Sequence, residues 1–118
     1  MQDVLIIIHA APYGSERFTS ALRLANALTG VDQPKPRLRL YLMSDATVAG
    51  LPQQNDGAGN ALTVMLERLL VEGVPVHLCR SCAQARGLVD LPLLPGIEIG
   101  NLSELAQWTL EADKVLTF

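Results

Sequence analysis

The chain has 118 residues, 49% of them hydrophobic and 18% charged, with two cysteines and a net charge of −3. That length and mix specify one globular domain with a modest core, and exclude a disordered chain. The acidic balance, the 4% aromatic content and the lack of a basic run argue against nucleic acid as a partner.

The first element is DVLIIIHA, a continuous apolar run rather than an alternating one. Such a run suits a strand covered on both faces, as in a parallel sheet. It is far too short to cross a bilayer, and Asp3 stands where a secretory leader would carry basic residues. A cytoplasmic protein with no membrane contact is therefore expected, in a compartment that keeps thiols reduced. The turn APYGS follows, with Ser15 placed as a helix cap. The helix should extend to about Leu28, burying Phe18, Ala21, Leu22, Ala25 and Leu28 on one face, and Gly30 should end it.

RLRLYLM reads as a second strand. Its leucines alternate with Arg37, Arg39 and Tyr41, which predicts a less covered position near a sheet edge. Asp45 to Ala49 should make a helical turn, and Pro52 to Gly59 a loop rich in turn formers. Asn60 is placed as the cap of a second helix whose Leu62, Met65, Leu66, Leu69 and Leu70 share a face, with Gly73 as its stop. VPVHLC is the third strand and RSCAQARG a short helix ended by Gly87. An irregular stretch with two prolines precedes the brief strand IEIG. Asn101 and Glu104 have capping-box spacing ahead of a helix through Leu110, and ADKVLTF is the fifth strand.

This alternation predicts a single-domain, doubly wound, mostly parallel five-stranded α/β sheet flanked by helices. Functional groups then belong at the carboxyl ends of the strands. A flavodoxin-like order would make the first and third strands neighbours and bring IIHAAPYGS beside VHLCRSC.

Both cysteines lie in that second segment. Cys79 stands where a strand gives way to a helix, among backbone N–H groups that favour an anion, with Arg80 as a positive neighbour and Arg86 as a second candidate. A thiolate there is a nucleophile, and its sulfur is expected to be open to solvent. The alternative is a buried, inert cysteine. The Cys79-x-x-Cys82 spacing also fits a dithiol redox pair, with Cys82 as a resolving thiol. His77, Cys79, Cys82 and His9 make a conceivable zinc set, but no second C-x-x-C accompanies them, so no metal is expected. His77 reads more simply as a strand side chain with a satisfied hydrogen bond. His9 and the Tyr13–Gly14 turn end the first strand, so they are candidates for positioning a ligand or for plain turn chemistry. Asp45 either faces the same edge or caps the turn after it. No phosphate-binding or dinucleotide-binding glycine loop and no Ser-His-Asp arrangement is present. No carboxylate pair has a spacing that selects it for acid–base work, and no cofactor is expected.

Three segments, APYGSERFTSALRLANAL, VPVHLCRSCAQARGLVD and ADKVLTF, together give the chain a resemblance to the DsrE/DsrF-like family over nearly its whole length. The middle segment is the most specific, joining a strand-end cysteine to Arg86-Gly87. The resemblance implies a small α/β fold assembled into trimers or hexamers. For the sulfur-relay members it implies an acceptor cysteine carrying persulfide sulfur, a role that falls on Cys79, with donor and acceptor proteins as partners. Tyr13 and Gly14 match the family's first-loop signature, and Cys82 lies outside the relay pattern. Three functions stay open: a sulfur carrier, an oligomeric assembly or regulatory module without chemistry, and a small dithiol oxidoreductase. Trp108 and Phe118 are candidates for either an interface or the core.

Overall fold

Side chains alternate along a strand, so each strand sends one set to each face of its sheet. In this protein the two faces receive unequal helical cover, and that inequality positions the cysteines. The computed structural model describes residues 1–57, 59 and 61–118. In chain order it shows β1 (Asp3–Ile8), α1 (Arg17–Thr29), β2 (Arg37–Leu42), a 3-10 helix (Ser44–Gly50), α2 (Leu62–Val71) and β3 (Val76–Cys79). Then come α3 (Arg80–Ala85), β4 (Glu98–Gly100), α4 (Leu102–Glu111) and β5 (Lys114–Thr117).

All neighbouring strands are parallel, in the order β4-β3-β2-β1-β5. The α/β architecture is thus as expected, but the neighbour relation is not: β2 lies between β1 and β3. The chain steps in one direction from β1 to β4, then returns across the whole sheet to place β5 on the far side of β1. Right-handed crossovers put the helices of the forward steps on one face and the returning helix on the other. Accordingly Phe18, Ala21, Leu22 and Ala25 of α1 and Leu62, Leu66 and Leu69 of α2 pack on Val4, Ile6, Ile8, Leu38, Leu40, Leu42, Val76 and Leu78 in one large core. The opposite set, Leu5, Tyr41 and Cys79, packs with Leu105 of α4, and Trp108 and Ala112 close over it.

The second strand is an interior strand, and the edge position expected from its charges is overturned. Arg39 and Tyr41 are buried because α4 lies over them. The Arg39 guanidinium stacks 4.7 Å from the Trp108 ring centroid and donates to Glu111 Oε1 at 3.0 Å. The Tyr41 hydroxyl donates to the Asn101 carbonyl at 2.8 Å. The Tyr41 hydroxyl and Arg39 Nη1 thereby meet the partners that burial demands, while Arg39 Nη2 is buried without a hydrogen-bond partner and has the indole face beside its guanidinium instead.

Several local signals act as read. The Glu104 N–H donates to Asn101 Oδ1 at 2.8 Å and starts α4. Gly73 and Gly87 follow α2 and α3 with φ of +85° and +70°. Helix α1 differs: it begins at Arg17 with Glu16 at the cap position, and Ser15 Oγ accepts only a long 3.4 Å bond from the Arg17 N–H. The cap assigned to Asn60 lies outside the described residues. Trp108 and Phe118 both pack against the core rather than standing free.

Gly100 marks the tightest approach. A Cβ there would overlap the Tyr41 hydroxyl and the Glu104 carboxylate, with Tyr41 Cζ at 3.0 Å. Gly100→Ala should therefore push α4 off the sheet and cost about 2 kcal/mol in a urea titration, the usual scale of overpacking. An unchanged midpoint would show that this contact is not tight.

Candidate functional site

Cys79 is the last residue of β3 and the residue before α3, with extended backbone (φ −63°, ψ 124°). Its side chain points to the thinly covered face, where it is 2% exposed. The expectation of a solvent-open sulfur is therefore overturned: strand alternation aims residue 79 under the edge of the α4 layer. The amide environment, however, is present. Burial pushes the thiol pKa up, but the Ser81 hydroxyl, the Cys82 N–H, the Cys82 thiol and the Ser81 N–H all favour the anion, and the net shift is downward. Ser81 Oγ lies 3.3 Å from the sulfur. No ideal cap hydrogen bond forms, so the amides act by proximity and direction.

Cys82 sits in the first turn of α3, half-buried, packed against the same small cluster; both thiols are free. Arg86 fixes this turn from its far end. Its Nη1 donates to the Cys82 carbonyl at 3.0 Å, while Nε and Nη2 meet Asp45 Oδ1 at 3.0 and 2.9 Å. Asp45 thus faces the same edge, and its partner is the side chain of the residue that ends α3. Arg80 is exposed, has no ion pair among the described residues, and is not among the groups that lower the Cys79 pKa.

Residues from the first loop do not reach the sulfur. His9 is exposed, with Nδ1 3.3 Å from Ser44 Oγ. The Tyr13 hydroxyl donates to Gln54 Oε1 at 2.6 Å. Tyr13 lines a crevice with Phe18 and Leu66, whose core lies on the other face of the sheet from Cys79. Gly14 has φ +98° in the turn between them. The interposed β2 separates these residues from the cysteines by two strand spacings, roughly 10 Å.

His77 is occupied elsewhere. Its Nδ1 lies 2.7 Å from Glu104 Oε1 and its Nε2 3.0 Å from Glu98 Oε2, so both nitrogens turn to carboxylates rather than to the cysteines. Its ring centroid is 4.7 Å from that of Trp108. Among the described residues no three His, Cys, Asp or Glu side chains gather as a metal would need. Tyr41 stands beside this pair; burial first, then the Glu104 charge, hold its phenol well above the ordinary value and keep it neutral. Ser81, Tyr41 and Glu104 are the neighbours that sequence reasoning missed; Arg86 and Asp45 were both expected near this edge, but their pairing was not. For Glu104 a signal existed, since its capping role already placed it next to the end of β4.

Comparison with known proteins agrees with this architecture. The DsrE/DsrF-like family profile matches residues 2–118. Protein YchN of Escherichia coli strain K12 is 53% identical over the full length of both chains. An uncharacterized protein of Methanopyrus kandleri is 31% identical, covering 98% of this chain and 93% of that one. The crystal structure of the E. coli ychN protein superposes over the whole of both chains with a TM-score of 0.93. A protein of unknown function from Methanobacterium thermoautotrophicum, 14% identical, shares the fold with a TM-score of 0.81 over both full chains.

The depressed Cys79 pKa has a signed consequence. Ionisation of Cys79, read from thiolate ultraviolet absorbance in Cys82→Ser protein, should have a midpoint below that of the same cysteine in the urea-unfolded chain. Ser81→Ala removes one stabilising partner, so its midpoint should move to higher pH and its thiolate fraction near neutral pH should fall by about threefold, the scale of a weak hydrogen bond. A folded-state midpoint equal to the unfolded one would remove the amide argument.

Proposed function

The chain belongs to the DsrE/DsrF-like family, and from that premise we propose that it is a sulfur carrier holding persulfide sulfur on Cys79 in an intracellular relay. The observation that carries this reading is the position of Cys79 at the β3–α3 junction, its sulfur 3.3 Å from Ser81 Oγ, a setting that favours the anion. A thiolate there attacks the outer sulfur of a donor persulfide, R–S–SH. The donor's S–S bond breaks, a new S–S bond forms at Cys79, the donor leaves as R–S⁻, and the proton stays on the outer sulfur. The transferred atom keeps its oxidation state, so no oxidant is needed. The same exchange, run toward an acceptor thiol, releases it. A reducing compartment such as the cytoplasm keeps both cysteines available for this chemistry.

We place the working form in a homotrimer or homohexamer, served by donor and acceptor proteins. Support comes from the thin cover of the α4 face and from apolar side chains left outside it: Leu102 is 61%, Leu110 88% and Val115 40% exposed. A second reading, an assembly or regulatory module of the same fold without chemistry, draws on the 2% exposure of Cys79.

Arg80 separates the two cysteines into different tryptic peptides, so mass spectrometry can locate an added sulfur. After exposure to a small persulfide and removal of excess donor, wild-type protein should retain one extra sulfur on the Cys79 peptide. Protein that never gains sulfur at Cys79 favours the module. Sedimentation across a range of concentrations should show three or six copies; a strict monomer contradicts the assembly.

A further inference from the structure

The exposures of the two thiols run opposite to what a single-cysteine carrier needs. A donor persulfide must bring its outer sulfur to bonding distance of the accepting sulfur, along the axis of the breaking S–S bond. Cys79 is 2% exposed, in a cluster with Leu5, Tyr41 and Leu105, and offers no such approach. Cys82 packs against the same cluster but remains partly open. The two occupy the residue before α3 and the third residue within it. These are the positions that each reach the other's backbone in a capping box, because the turn brings them to one side. The Cys82 thiol is indeed among the groups that favour the Cys79 anion. Arg86 holds the carbonyl of Cys82 from the opposite end of the helix, which fixes the orientation of the turn.

We propose that Cys82 is the entry and exit thiol of a two-cysteine relay, taking sulfur from outside and passing it to a store at Cys79. The proposal rests on the sulfur-carrier reading and names its route. In the first step the Cys82 thiolate attacks the outer sulfur of R–S–SH, giving Cys82–S–SH and R–S⁻. In the second the Cys79 thiolate attacks the outer sulfur of that persulfide, giving Cys79–S–SH and the Cys82 thiolate. One S–S bond breaks and one forms in each step, the proton travels with the outer sulfur, and nothing is oxidised or reduced overall. Delivery is the reverse path through Cys82. Burial then serves storage: sulfur on Cys79 is shielded from stray thiols that would strip it as hydrosulfide.

The test follows loading by glutathione persulfide in wild type, Cys82→Ser, Cys82→Ala and Cys79→Ser, with sulfur located on the separate tryptic peptides. Both Cys82 variants should load Cys79 slower by about tenfold or more, the penalty expected when access rather than thiolate fraction limits exchange. Cys79→Ser should gain sulfur at Cys82 at the wild-type rate and lose it rapidly to added thiol. Circular dichroism confirms that the variants are folded; two replacements at a half-buried position guard against one that is not. Loading of Cys79 at the wild-type rate without Cys82 overturns the relay and leaves the carrier standing. Failure of Cys79→Ser to acquire sulfur at Cys82 also overturns the relay. So does release of hydrosulfide with formation of a Cys79–Cys82 disulfide in wild type. Wild type that takes up sulfur at neither cysteine overturns the carrier and the relay together.

Discussion

One helix, α4, supplies the main cover on its face of the sheet, and it does so through few side chains. Trp108 stands edge-on to Tyr41, with ring centroids 5.5 Å apart and planes at 82°, and also meets His77 and Arg39. These are polar or charged residues on interior strands, so the indole supplies apolar cover while the flanking acids supply partners. Glu111 takes Arg39, and Glu104 takes His77. The bulk of an indole makes this possible, because one ring spans two strands where an aliphatic side chain would cover one. Without α4 in register, a guanidinium, an imidazole and a phenol would each lose a partner, and Leu5 and Cys79 would face water.

The placement of Glu104 links this seal to the helix start. Its backbone N–H is capped by Asn101, its carboxylate meets His77, and Gly100 lacks the side chain that would obstruct either. Helix initiation, strand-to-helix spacing and burial of the polar cluster are thus decided within five residues. Cys79 pairs with Gly100 in the β3–β4 register, so the same junction sets the depth of the sulfur.

Much of the architecture was legible because the local signals are independent of one another. The unbroken apolar run at Val4–Ile8, the periodic leucines of α2 and the Asn101–Glu104 spacing each point to one element without reference to the rest. The amide setting of Cys79 was legible for the same reason, since a strand-to-helix junction carries its own dipoles. Strand order was not, because it depends on the route of the long return from β4 to β5, and a short chain offers no local mark of that route. The misreadings of β2 and of the first loop descend from this. Arg39 and Tyr41 look like edge residues until α4 is known to cross them, and His9 and Tyr13 look close to the cysteines until β2 is known to intervene. The depth of Cys79 was hidden because strand parity says which way a side chain points, not how much lies over it.

The outermost strands are short: β4 has three residues and β5 has four, beginning with Lys114. An incoming chain seeking unpaired amides would find little template on either flank, and a charged residue at the start of one. Growth of the sheet from copy to copy, the route by which parallel-stranded proteins form fibres, is thereby discouraged. Any ordered association is left to side chains rather than to backbone ladders.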